Sequence, residues 1–285
     1  MGEKYVPSGI ASPSGILKTV LFGILASFIL PIVYILLVKL VPNIWFIAIC
    51  AMLFGMGLGY FIDLGIKIGK IRNFKIGIAI AIFCGLLAFY NQWVLFDALM
   101  YSAKGFTFNL TGADIKILLR DFFFLFTHPG ILFQEIQNLN AVGTFRIESS
   151  GNVSGLLLWV IWFGELVVIL LSVALTVANG YLTTPFSEQN DMWMERRKTI
   201  SRINFVQDKA SFLNSLDNKQ IDLLHHNPEI LDHENFAEVV VFESYGDPSK
   251  YINVVNVTNT VDKKGKITAK KKNVTTRYQL LNANI

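Results

Sequence analysis

Glu165 is the residue of this chain best placed to do unusual chemistry. It stands in Trp162-Phe-Gly-Glu165-Leu-Val-Val, inside the otherwise uncharged apolar run 155–178. Counted from the outer end of that run it lies about ten residues in, roughly 15 Å at about 1.5 Å per residue. A charged acid at that depth in a bilayer costs at least ~2.5–3.5 kcal/mol, so Glu165 is expected to be neutral, or paired with polar groups facing a bundle interior. Three uses stay open: a neutral acid bonding two helices, a proton or ion relay, and a contact with a partner subunit. By depth, its expected partners are Gln92 first and Asn91 next to it, both in Tyr90-Asn-Gln92. Asp97 follows nearer the boundary of the same run. These four side chains are the intramembrane polar candidates.

Other groups look chemical but carry less. His225, His226, Asp232, His233 and Glu234 invite a metal, yet their spacing matches no ligand set and no cysteine is near. Two histidines at a helix C-terminus are equally explained by the helix dipole. No metal and no cofactor is expected. His128, beside Pro129, reads as a turn residue. Cys50 and Cys84 sit in different apolar runs and read as small apolar filler; two cysteines make no disulfide framework. Gly55-Met-Gly57-Leu-Gly59 resembles a phosphate loop, but such a loop follows a strand and opens a helix. Here the string lies within an apolar run. There is no nucleophile elbow, P-loop or zinc-protease His-Glu pair, so no catalytic residue is assigned.

The elements that must position these residues are four apolar stretches, 16–40, 43–63, 75–99 and 155–178. Each is near the ~20 residues that a spanning helix needs, and in lipid such a run must be helical because no water bonds an open backbone. The 285 residues are 53% hydrophobic and 16% charged, against about 25% charged in soluble domains. The shortfall comes from the first 185 residues, and the rest is nearly charge-balanced. The net +4 is therefore no sign of a nucleic-acid partner. Residues 1–14 do not read as a cleaved signal peptide. Lys67, Lys70, Arg72 and Lys75 crowd the second connection, and Arg196, Arg197, Lys198 and Arg202 follow the fourth span. Lys and Arg accumulate in cytoplasmic loops, which predicts both termini inside and the first and third connections outside. The cluster in the second connection is expected to meet lipid headgroups. Trp45, Trp93 and Tyr181 are expected at interfaces.

Within the spans, Pro31 predicts a kink or hinge in the first. Ala51, Gly55 and Gly59 form a small-residue stripe on the second, repeated by Gly65 and Gly69. Such a stripe lets a second helix approach closely, from the same chain or another. The outer loop 100–154 carries Thr111 as a helix cap with Asp114 three residues on. Ile115, Leu118, Leu119, Phe122 and Phe126 then form an amphipathic stripe. Thr127-His-Pro-Gly130 breaks it, and a short helix follows over 131–139. The loop is expected either to cap its own bundle or to dock a partner. From Pro185 the chain predicts a small α+β domain: helix over about 192–226, then strands over 238–244, 251–258 and 266–280, with Asp262-Lys-Lys-Gly265 as a hairpin turn. Six lysines between Lys263 and Lys272 suit an exposed edge, or attraction to an anionic leaflet. Few aromatics are interleaved with them, so RNA is not expected.

Several short pieces resemble a set of uncharacterised polytopic inner-membrane proteins of Bacteroidota-type bacteria. The pieces are Lys4-Tyr-Val-Pro-Ser-Gly9, Gly69-Lys-Ile-Arg-Asn73, Trp162-Phe-Gly-Glu165, and Pro185-Phe-Ser-Glu188 with Trp193. In those proteins the last piece reads Pro-Phe-Cys-Glu-x-Cys-x-x-Trp, which suits a thiol pair or a metal knuckle. Here Ser187 and Asn190 hold the cysteine positions, so that chemistry is lost. The resemblance implies the architecture and no activity.

The expected architecture is an α-helical membrane protein of the bacterial inner membrane. Residues 1–15 form a cytoplasmic segment, 16–182 a four-span transmembrane bundle with an amphipathic outer loop, and 183–285 a cytoplasmic α+β domain. The expected function is that of a subunit or scaffold in a membrane complex or homo-oligomer, with the lipid bilayer, itself or other membrane subunits as partners. A proton- or ion-coupled transporter or channel subunit centred on Glu165 is the alternative, and a membrane enzyme with a lipid-like substrate is the third.

Overall fold

The computed structural model describes residues 3–40, 43–100, 111–143, 145–147, 151–197, 201–218, 220–231, 234–261 and 267–281. The chain divides at Ser8/Gly9 and Leu182/Thr183 into two units. The first, from Gly9 to Leu182, is built on four helices long and apolar enough to cross a membrane: α1 (Pro13–Leu40), α2 (Ile44–Gly69), α3 (Phe74–Met100) and α6 (Leu156–Asn179). Between α3 and α6 lie α4 (Gly112–Thr127), α5 (Pro129–Val142) and a short hairpin, β1 (Phe145–Ile147) with β2 (Gly151–Val153).

Local chemistry sets the ends of these helices. Asn43 caps α2, its side chain accepting from the backbone N–H of Trp45 at 3.0 Å. Asn73 does the same for α3 through the Ile76 N–H at 3.0 Å, satisfying one of the donors a helix start leaves open. α2 outlasts its expected end at Asp63 by more than a turn, because the Asp63 carboxylate accepts the Tyr181 N–H at 2.7 Å instead of facing water. α4 opens on the expected capping box, Thr111 with Asp114. His128 stands at its end as a turn residue, and Pro129 starts α5. α4 and α5 pack on their own unit. Leu125 and Leu132 join Trp93, Val94, Leu158 and Trp162 in one buried cluster, with Leu118, Phe122 and Phe126 beside it. Tyr90 donates to the Phe126 carbonyl at 2.8 Å. Trp93 is thus buried, where an interface anchor was expected; Trp45 is exposed.

The glycines of α2 serve packing inside this chain. A Cβ at Gly55 would stand 2.5 Å from the Ile169 carbonyl oxygen, and one at Gly59 would stand 2.7 Å from Thr176 Cβ, so both meet α6. Gly65 and Gly69 meet α1 instead, with Thr19 Cα at 2.7 Å and the Gly15 carbonyl oxygen at 2.5 Å from their Cβ positions. The repeat continues across Gly59–Gly65 with a gap of six residues. At 3.6 residues per turn that gap rotates the second pair to another face. Ala51 is fully buried on the same helix.

The second unit joins residues from Thr183 onward to the first few of the chain. Short strands β3 (Phe186–Ser187) and β4 (Met192–Trp193) form a hairpin. A five-stranded antiparallel sheet follows: β5 (Glu195–Arg196) and β6 (Ser201–Asn204) both pair with β7 (Phe236–Glu243), which pairs with β8 (Ser249–Val261), which pairs with β9 (Ile267–Leu281). Lys4 bridges to Tyr278, and the Tyr5 N–H donates to the Arg277 carbonyl at 2.8 Å, so the N-terminal segment continues the sheet beyond β9. One face of the sheet is covered by α7 (Lys209–Asp217) and the turn Ile221–Leu224 around Val239, Val241, Ile252 and Val254.

The three long strands match expectation; the long helix over 192–226 does not. Ser201-Arg-Ile-Asn204 instead lies along β7 with Ile203 turned into the core, and a helix forms only after Asp208, which caps α7. The apolar positions Ile203, Val206, Phe212 and Leu213 satisfy a helical spacing, yet they are divided between a strand, a loop and a nine-residue helix. The turn 262–265 lies outside the described residues.

Candidate functional site

The Glu165 carboxylate is not joined to α3. Tyr34 Oη, from the middle of α1, donates to Glu165 Oε1 at 2.6 Å. Tyr34 is 3% exposed and stacks on Phe54 of α2 with ring centroids 5.1 Å apart, which locks the hydroxyl in place. The expected bond to Gln92 is therefore corrected to a bond with Tyr34. Sequence reasoning passed over this tyrosine because it sought partners for Glu165 by depth on the third span alone. The usable signal was a hydroxyl deep in an apolar run, since buried polar groups find partners.

Glu165 and Tyr34 line a cavity of about 400 Å³, and Gln92 lines it too. Its other walls are mostly apolar: Ile35 and Val38 of α1, Phe96 and Met100 of α3, Leu139 of α5. Lys39, at the end of α1, brings the one cationic side chain among the described lining residues. Gln92 is 6% exposed, and its side-chain carbonyl Oε1 has no hydrogen-bond partner. An unmet acceptor in that setting costs about 1–3 kcal/mol, so Gln92 Oε1 favours an occupant that donates. Chemically the cavity offers one carboxylate, one phenol and one open acceptor within hydrophobic walls. Small-molecule sites have this composition, with a few placed polar groups in an apolar cleft of about 300–1,000 Å³.

The other polar candidates are elsewhere. Asn91 Nδ2 donates to the Ser27 carbonyl at 3.0 Å, and Ser27 Oγ donates to the Cys84 carbonyl at 2.9 Å. Both tie α1 to α3. Asp97 is 2% exposed and does not line the cavity. Of the expected headgroup-binding set, Lys67 is exposed over the Tyr181 ring at 5.2 Å, Lys75 is exposed, and Lys70 is partly exposed at the end of α2. Arg72 departs from that expectation. It is 8% exposed, held where its backbone pairs with Gly9 and Ile10, so its side chain is not presented outward.

In the second unit, the positions that the resemblance gives to cysteines form a hydrogen-bonded clasp. Ser187 Oγ lies 2.5 Å from Asp247 Oδ2 and accepts the Asn190 N–H at 3.1 Å. Asn190 Nδ2 donates to Ser244 Oγ at 2.8 Å and to the Tyr245 carbonyl at 2.7 Å. Beside it, Arg197 makes a two-pronged bond to Glu243 at 2.8 and 2.7 Å, which holds the Glu243 carboxyl below the usual carboxylate range. Among the described residues no group of three or more His, Cys, Asp and Glu could hold a metal. His226 Nδ1 instead accepts the Arg202 N–H at 3.1 Å. Asp232 and His233 lie outside the described residues. Comparison with known proteins adds no likeness: no family model, no curated protein and no solved structure matches this chain.

Proposed function

We propose that this is a multi-pass membrane protein of the bacterial inner membrane that takes a small amphipathic ligand into the Glu165 cavity and works by holding it, not by a covalent step. The four long apolar helices support insertion. The crowding of Lys67, Lys70, Arg72 and Lys75 in one connection, and of Arg196, Arg197 and Arg202 after α6, supports cytoplasmic termini. An even number of crossings returns the chain to its starting side, in keeping with a single sheet that joins residues near both ends.

The observation that carries the ligand is Gln92. A buried side-chain amide with an open carbonyl, in the same cavity as a Tyr–Glu pair, suits an occupant that donates hydrogen bonds and brings apolar surface. Gly55 and Gly59 meet α6 of their own chain, so the scaffold reading draws nothing from that pair of glycines. The coupled-transporter reading keeps Glu165 and shares this site, with the ligand as its cargo.

The test is chemical extraction of the full-length protein after purification in mild detergent. Wild type should carry about one amphiphile per chain, by analogy with a single filled site. Gln92→Leu and Glu165→Leu should carry little of it. Equal amphiphile content in all three proteins would refute the site.

A further inference from the structure

Next to the Glu165 cavity, and sharing two of its walls, is a second cleft of about 350 Å³. The rest of its lining differs: Phe89, Phe133, Trp159, Phe163 and Leu166 give it an aromatic, aliphatic surface. The shared walls are Trp93 and Trp162, packed edge to face with ring centroids 4.8 Å apart. The two spaces follow one another along α3 and α5, and on α6 they lie side by side. On α5 the cleft takes Leu132, Phe133 and Ile136, and the cavity takes Leu139 and Val142. With Pro129 also in the cleft, all 14 residues of α5 run past both, roughly 20 Å at about 1.5 Å per residue. Phe133, Phe163 and Leu86 are exposed at the cleft, 52%, 67% and 47% respectively, so it opens on the apolar outside of the helical unit.

We infer that the ligand of the Glu165 cavity is a membrane lipid whose head donates hydrogen bonds, with its acyl chain lying in the aromatic cleft. This rests on the reading of the cavity as a ligand site and names the ligand's class. The head follows from the acceptors. Glu165 and the open Gln92 carbonyl select a primary ammonium or a hydroxyl, as in phosphatidylethanolamine or phosphatidylglycerol, over a trimethylammonium, which has no proton to donate. Lys39 at the rim supplies the charge that suits the phosphate. The tail follows from the cleft, since an apolar groove open to hydrocarbon and sharing the Trp93–Trp162 wall with a polar pocket fits a molecule that is itself divided that way. A water-soluble amine or alcohol would leave the cleft without a role. The Trp93–Trp162 pair, common to both linings, then stands at the lipid's head–tail junction.

The experiment is native mass spectrometry of delipidated full-length protein in mild detergent, offered equal amounts of dioleoyl phosphatidylethanolamine, phosphatidylglycerol and phosphatidylcholine. Wild type should retain the ethanolamine or glycerol lipid about tenfold over the choline lipid, the effect of one hydrogen bond to a charged or buried acceptor. The ratio between the two retained lipids tells an ammonium from a hydroxyl. Leu166→Phe, which fills the cleft, and Phe133→Ala, which removes a wall, should each lower retention of every lipid about fourfold or more while keeping the head preference. Two cleft variants are used so that one misfolded protein does not decide the outcome. Head preference with no effect of either folded cleft variant would overturn the acyl-chain site and leave the cavity reading standing. Retention that falls in the cleft variants without any head preference in wild type would overturn the cavity reading. Full displacement of the bound lipid by O-phosphoethanolamine, which has the head and no tail, would overturn the lipid assignment.

Discussion

The Tyr34–Glu165 bond gives the sharpest prediction, because both partners and the distance are defined. A double-mutant cycle compares wild type, Tyr34→Phe, Glu165→Leu and the double variant. The 2.6 Å separation lies at the short end of the range of about 2.5–3.0 Å found when a hydroxyl donates to oxygen. Hydrogen bonds between membrane helices are worth about 0.6 kcal/mol on average and reach about 1.7 kcal/mol. The locked Tyr34 ring, stacked on Phe54, places this one toward the upper figure. Each single variant should therefore lose about 1–3 kcal/mol, because it leaves the other partner's polar group unmet. The double variant should lose less than the sum of the two, by about 1–1.7 kcal/mol. Glu165→Gln keeps an acceptor for Tyr34 and should cost under about 1 kcal/mol. Reversible unfolding of the reconstituted protein, followed by helix content against denaturing detergent, reads all five proteins. Strict additivity of the single losses would refute the pairing, and so would a Glu165→Leu protein as stable as wild type. A Glu165→Gln protein that folds normally yet fails in cells would favour proton coupling, since an amide carries no proton.

The remaining predictions concern packing, pH and topology. Gly55→Leu or Gly59→Leu should lower thermal stability by about 1–3 kcal/mol or more, since the added atoms meet α6 backbone and Thr176; unchanged melting of both would mean the two helices can part freely. Glu243 is held below its ordinary range by Arg197, so its contribution is complete above the unfolded carboxylate value of about 4.3 and is lost as pH falls through the lower folded value. The pair is partly exposed, which limits the effect to under about 1 kcal/mol. Arg197→Met should flatten the acid limb of the stability curve below pH ~4, and an identical acid limb in both proteins would refute the assignment. A membrane-impermeant thiol reagent applied from outside should label a cysteine placed at Asn109, in the stretch outside the described residues, and miss one at Asn259. The reverse pattern would invert the orientation.

The coarse plan was legible in the residues. Four long apolar runs with one or two charges each demand helices, since nothing else satisfies the backbone without water. The Thr111–Asp114 box and the break at Pro129 define α4 and α5 because capping acts over three or four residues. The Val239-Val-Val241 run of β7 and the alternation of β8 mark both strands, since β-branched residues at that spacing are a local signal. Glu165 stood out because a lone acid in an apolar run is costly wherever it points. What the residues could not supply is which sides meet. Along α1 the small and polar residues Gly15, Thr19, Gly23, Ser27 and Tyr34 mark the buried face, but nothing in that stripe names Glu165 as the partner of Tyr34. The glycine stripe announced a close approach and left the partner open; only the packed helices divide Gly55 and Gly59 from Gly65 and Gly69 between α6 and α1. The burial of Arg72 and of Trp93 was equally hidden, because each depends on segments distant in the chain. Likewise the cavity and its neighbouring cleft have no linear signature. They arise from side chains of several helices that come together only in the folded chain, where shape decides what composition leaves open.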